Sequence, residues 1–185
     1  MKDSKLSFKL IWIVLSIYMV ILLWIIVFKF NMKWIPDDSA YLRNLPLLDR
    51  IRNFYPFQAM IEEGFYFEWD YFMNIFVYIP LGIYLSFVIK SKYKNIYIIL
   101  ISLFSSILFE TIQLFTGWGG FDTTDMLCNT LGGIIGILVF IPIIKLKPRI
   151  INIVNIILIF VFGPMAIIVT INTILNYQLY LKIKK

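Results

Sequence analysis

Glu110 and Gln113 lie inside the apolar run "ILFETIQLF", and Asp122, Asp125 and Asn129 open the next one, "FDTTDMLCNTLGG". Another run, "MNIFVYIPLG", contributes Asn74. A charged group in a membrane helix costs up to a few kcal/mol, so its presence asks for a reason. The chemistry open to these groups is narrowed by what the chain lacks. There is no histidine, which removes the usual zinc ligand and the usual base near neutral pH. The single cysteine, Cys128, sits in an apolar run and forms neither a disulfide framework nor a thiolate cluster. Acid or base catalysis would fall to Glu110, with Asp125 as second carboxylate. Cation binding would fall to Glu110, Asp122 and Asp125, an oxygen-only set that suits Mg²⁺ or Ca²⁺. Plainer roles compete with these. Asp122 is a natural helix cap, and Asn74 and Asn129 are natural interhelical hydrogen-bonders, worth about 0.6 kcal/mol each. Glu110 is equally read as a neutral acid bonded to Gln113 or as a side chain snorkelling to water.

The elements that must position these groups follow from composition. Hydrophobic side chains make up 61% of the 185 residues and charged ones 15%, with a mean hydropathy of +0.85. A soluble domain is roughly 45–50% apolar. The expected fold is therefore all-α, a polytopic transmembrane helical bundle. Stretches long enough to cross a ~30 Å hydrocarbon core occur at about 8–28, 71–89, 96–115, 126–144 and 150–171, which makes about five spans in one domain. The first is longer than a signal-peptide core and no small-x-small site follows it, so it reads as a retained signal-anchor.

Basic residues near span ends mark the cytoplasmic side. Lys2, Lys5 and Lys9, then Lys90, Lys92 and Lys94, then Lys145, Lys147 and Arg149 place the N-terminus on the cytoplasmic side of the membrane. The long segment 29–70 and the short one 116–125 then lie outside. A fifth span would carry Lys182, Lys184 and Lys185 outward against the rule, although "FGPMA" at 162–166 permits a broken helix there. The outer segment is aromatic and punctuated by proline, as interfacial pieces are. The net charge of +6 points to anionic lipid heads and gives no reason to invoke nucleic acid.

With this orientation Glu110 lies roughly 7 Å below the outer boundary. Gln113 and Ser106 share its helical face. Asp122, Thr123, Thr124 and Asp125 begin the fourth span, and Asn129 and Asn74 each lie about one turn in. Three helices thus offer polar groups at one depth, and the expectation is a single pocket in the outer third of the bilayer. Gly132 and Gly136 form a GxxxG and Ser102 and Ser106 a small-xxx-small strip. The expectation is a tight hairpin of the third and fourth spans; homo-oligomerisation through Gly132 and Gly136 is the alternative use. Pro80 allows a bend in the second span.

The ordered series "RNFYPFQAM", "NIFVYIPLG", "SSILFETIQ" and "FDTTDMLCNTLGGIIG", over about residues 50–140, resembles the VanZ-like family, named for a teicoplanin-resistance protein. By position, the resemblance implies that Arg52, Asn53, Asn74, Glu110, Gln113, Asp122, Asp125 and Asn129 are the family's polar set, with Pro56, Phe57, Pro80, Gly82 and Gly132 as structural companions. Two positions depart. Family members commonly carry an arginine where this chain has Gly119 and Gly120, and often a third acid where it has Thr124. Arg52, or a cation, is expected to compensate. The resemblance implies a small bacterial membrane protein associated with reduced susceptibility to lipoglycopeptides such as teicoplanin. The polar groups themselves suggest a site at the outer face that binds the head group of a membrane lipid, a lipid-linked envelope precursor or the lipid-anchored lipoglycopeptide. A membrane-embedded enzyme modifying an envelope lipid, a small flippase-like transporter and an accessory structural subunit are the competing readings.

Overall fold

The computed structural model describes residues 2–28, 43–63 and 69–143, with isolated positions between 164 and 175. Four long helices dominate. Helix α1 is Lys2–Phe28, whose apolar part runs Ile11–Val27. Helices α3 (Trp69–Val88), α4 (Lys94–Thr116) and α5 (Thr123–Ile143) are each long and apolar enough to cross a membrane. They match the second, third and fourth expected spans to within a few residues. The expected fifth span, the "FGPMA" break and the basic groups at 145–149 and 182–185 fall outside the described residues, apart from isolated helical positions.

One feature departs from an all-helical chain. A 3₁₀ turn at Leu47–Arg50 leads into strand β1 (Ile51–Asn53), which pairs in parallel with strand β2 (Phe121–Asp122), just before α5. A short helix α2, Gln58–Glu63, follows β1. The strands are too short for an alternating pattern to announce them.

Helices α3 and α5 run in the same direction and share the most extensive interface among the described elements. Glycine makes it possible. A side chain at Gly132 would meet the Ile75 carbonyl and the Tyr78 Cβ, one at Gly136 the Ile79 carbonyl, and one at Gly82 the Gly133 carbonyl. The obstacles are largely backbone, so the helices touch main chain to main chain. Helix α4 runs antiparallel to α5, and there Gly133 faces the Ser102 hydroxyl. Two expectations need correcting. The GxxxG glycines join the fourth span to the second, and only Gly133 faces the third. Gly132 and Gly136 are buried within the chain, so that face is not open to a second copy.

Helix α1 completes the core, burying Tyr18, Leu22 and Ile26 with Val77, Leu81 and Tyr84. The Tyr18 hydroxyl donates to the Val77 carbonyl. That acceptor is one residue past the carbonyl that Pro80 leaves without its helical donor, so the proline lies beside the join of the two helices.

Candidate functional site

The polar groups gather at one end of this bundle. There α1 and α4 finish, α3 and α5 begin, and the strand pair closes the end. Asp122 is the hub. As the residue before α5 it caps the helix, its Oδ1 accepting from the Thr124 N–H at 2.8 Å. Its Oδ2 accepts from the Asn53 side-chain amide at 2.6 Å, and its own N–H donates to Glu110 Oε2 at 3.0 Å. Strand β1, helix α4 and the start of α5 are therefore joined through one residue. The strand pairing brings Asn53 level with Asp122.

Threonines extend the join. Thr123 Oγ1 donates to the Asn53 carbonyl at 3.1 Å, and Thr124 Oγ1 accepts from the Phe57 N–H at 2.8 Å. Phe57 takes a positive φ of 60°, uncommon for a side chain of that bulk, and its ring meets Tyr71 edge-on at 5.9 Å. Thr124 stands where a third acid was expected, and it anchors this strained loop.

Two residues into α5, Asp125 accepts a hydrogen bond from the Asn74 amide on α3. A turn deeper, the Asn129 amide donates to Ser106 Oγ on α4 at 2.8 Å. The Tyr78 hydroxyl reaches Ser105 at 3.3 Å and also Ser106. Asn74, Glu110, Asp125 and Asn129 are all at most 3% exposed. These four, with Asp122 and Asn53, lie at the same end of the bundle and are tied by separate hydrogen bonds, Asn53 and Glu110 to Asp122, Asn74 to Asp125 and Asn129 to Ser106. Tyr78 was not anticipated, and the two threonines were expected only as cap and first-turn residues of the fourth span. Tyr78 was hidden by an apolar helix in which one phenol looks like core.

Gln113 departs from the expectation. It shares the Glu110 face, but its amide donates to the Ile26 carbonyl at 2.7 Å, tying the ends of α4 and α1 together. Arg52 is exposed, and its aliphatic stem fills the space that a side chain at Gly120 would need. It thus lies against Gly120, two residues from Asp122.

Arg50, unremarked in the sequence, holds the segment 43–63. Its guanidinium donates to the carbonyls of Arg43, Leu45, Leu114 and Phe115 at 3.0–3.3 Å. The last two belong to the closing turn of α4, where unsatisfied carbonyls carry partial negative charge. Gly117 ends that helix with φ 67°, and the Arg43 guanidinium stacks over Trp118 at 4.5 Å. Further along, Tyr55 donates to Glu62 at 2.8 Å, a hydrogen bond that raises the phenol above its usual pKa.

A cation site does not assemble. Among the described residues no group of three acidic, histidine or cysteine side chains could hold a metal ion. The reason is visible in the hydrogen bonds: both Asp122 oxygens, one of Glu110 and one of Asp125 already accept from N–H donors. The Mg²⁺ or Ca²⁺ expectation for Glu110, Asp122 and Asp125 is withdrawn. The arrangement instead offers buried acceptors braced by amides, with Arg52 and the aromatic residues Phe54, Tyr55 and Phe57 exposed around it.

A family model described as VanZ/LLP1 matches residues 15–146. The chain is similar to Protein VanZ of Enterococcus faecium, 29% identical over 126 residues, which cover 66% of this chain and 68% of that one. No solved structure matches it.

Proposed function

The chain belongs to the VanZ/LLP1 family, and from that premise we propose that it serves tolerance of teicoplanin-type lipoglycopeptides in the bacterial cell envelope. It does so as a multi-pass protein of the cytoplasmic membrane, with its N-terminus inside and the strand pair outside. The Asp122 end of the bundle holds the polar head of a lipid-linked envelope component, and the surrounding lipid holds its tail. The observation that carries this reading is the three-way join of Asn53, Asp122 and Glu110. It stations buried carboxylates at the end of the helices, beside an exposed arginine and exposed aromatic side chains.

The test uses Glu110→Gln in cells whose tolerance depends on this protein. Glutamine keeps an oxygen for the Asp122 N–H and removes only the ionisable group. Tolerance should fall to that of cells without the protein, while its abundance in the membrane stays at the wild-type level.

A second reading has its own support. Asn53, Asn74, Gln113 and Asn129 each direct an amide to a partner within the chain, as helix-joining groups would. Loss of the protein together with loss of tolerance in Glu110→Gln favours that structural role.

A further inference from the structure

The opposite end of the bundle is built from different chemistry. The turn joining α3 to α4 carries Lys90, Lys92 and Lys94 and no acidic residue. Helix α4 begins here with no acid in its first turn and no side-chain cap on its N–H groups. The positive end of its dipole therefore adds to the three lysines. Lys92 Nζ lies over the Tyr93 ring at 4.8 Å and Lys94 Nζ over Phe140 at 5.0 Å, contacts that locate both ammonium groups without neutralising them.

From this turn a groove of about 560 Å³ runs along α4. Ile89, Tyr97, Ile101, Phe104 and Leu108 line it. Its one aliphatic hydroxyl, on Ser105, already donates to the Ser102 carbonyl at 3.0 Å. From Tyr97 to Leu108 the helix rises roughly 16 Å, about half of a hydrocarbon core. Hydrocarbon along the groove and an anion at its head is the shape of one molecule.

We infer that this end binds an anionic phospholipid, with the phosphate at the α4 N-terminus among Lys90, Lys92 and Lys94 and an acyl chain in the groove. Charge decides between occupants. The stretch 150–171 would offer hydrocarbon, but it contains no acidic residue to meet the lysines. A second copy would bring a further net +6 to a basic turn. A zwitterionic lipid would fill the groove and leave the cationic turn unmatched.

The experiment titrates the full-length protein in detergent with phosphatidylglycerol or phosphatidylcholine of the same acyl chains and counts bound lipid by native mass spectrometry. Phosphatidylglycerol should bind more tightly. Lys90→Gln, Lys92→Gln and Lys94→Gln should each weaken it about fivefold and leave phosphatidylcholine unchanged. Ile101→Trp, which plugs the groove, should weaken both lipids; Ile101→Ser, a smaller change at an exposed position, should do so to a lesser degree. Equal affinity for the two lipids in the wild type overturns the inference, as does a preference that survives all three lysine substitutions. Disulfide capture of Ile101→Cys by a cysteine placed within 150–171, or by a second copy, also overturns it, because the groove is then covered by protein.

Discussion

At the scale of single residues, the polar end of the bundle is held by hydrogen bonds that mostly join residues far apart in sequence. Asn74 and Asp125 are the cleanest pair, one tie between two helices. A double-mutant cycle of Asn74→Ala and Asp125→Ala, followed by thermal unfolding in detergent, should give a coupling of about 0.6–2 kcal/mol. A coupling of zero would mean that the contact contributes nothing beyond its two parts. Arg50 is a different case, since its planar fork meets four carbonyls that a point charge cannot all reach. Arg50→Lys should therefore loosen the outer segment, read as faster proteolysis between residues 43 and 63, while Arg52→Lys leaves it unchanged. The sequence announced Asn74, Glu110, Asp122, Asp125 and Asn129 because an amide or carboxylate in or beside an apolar run has few innocent explanations, whereas Asn53 came only from the resemblance to the family. It was silent on Arg50 and Tyr78. An arginine in a polar loop and a tyrosine in an apolar helix are ordinary, and only their partners set these two apart.

At the scale of elements, the apolar runs located three helices well, because length and hydropathy alone fix where a helix can cross. Which helix packs on which was not legible. Small residues say that some backbone approaches closely, without saying whose, and the short connection between α4 and α5 pointed to the wrong neighbour for Gly132 and Gly136. The structure makes the difference measurable. Gly132→Ala and Gly136→Ala place a methyl group on carbonyls of α3 that cannot rotate away. Each should cost at least 1–3 kcal/mol, seen as a lower unfolding temperature and less monodisperse protein. Gly133→Ala meets the Ser102 side chain instead, so Ser102→Gly should restore much of its stability. No side-chain change at Ser102 should rescue Gly132→Ala.

At the scale of the whole molecule, α1 and α4 run one way and α3 and α5 the other, which sends the lysine turn and the strand pair to opposite ends. The proposed orientation puts the lysines inside. In a Cys128→Ala background, a cysteine at Lys92 should resist an impermeant maleimide added outside intact cells, and one at Tyr55 should react with it. The reverse pattern would turn the protein over. The strand pair has a further consequence, for the order in which the molecule is made. Asn53 and Asp122 are 69 residues apart, so at 5–20 residues per second the ribosome needs about 3–14 s to supply the second after the first. During that interval the first helix is complete, Arg50 has no α4 carbonyls to hold until Leu114 and Phe115 are made, and β1 has no strand to pair with until Phe121. The polar end is thus the last part of this region to close, and it closes only on a chain whose third long helix has been finished and whose fourth has begun. A nascent chain stalled before residue 114 carries the segment 43–63 unfastened, which makes that segment a natural mark for the proteases that clear incomplete membrane proteins.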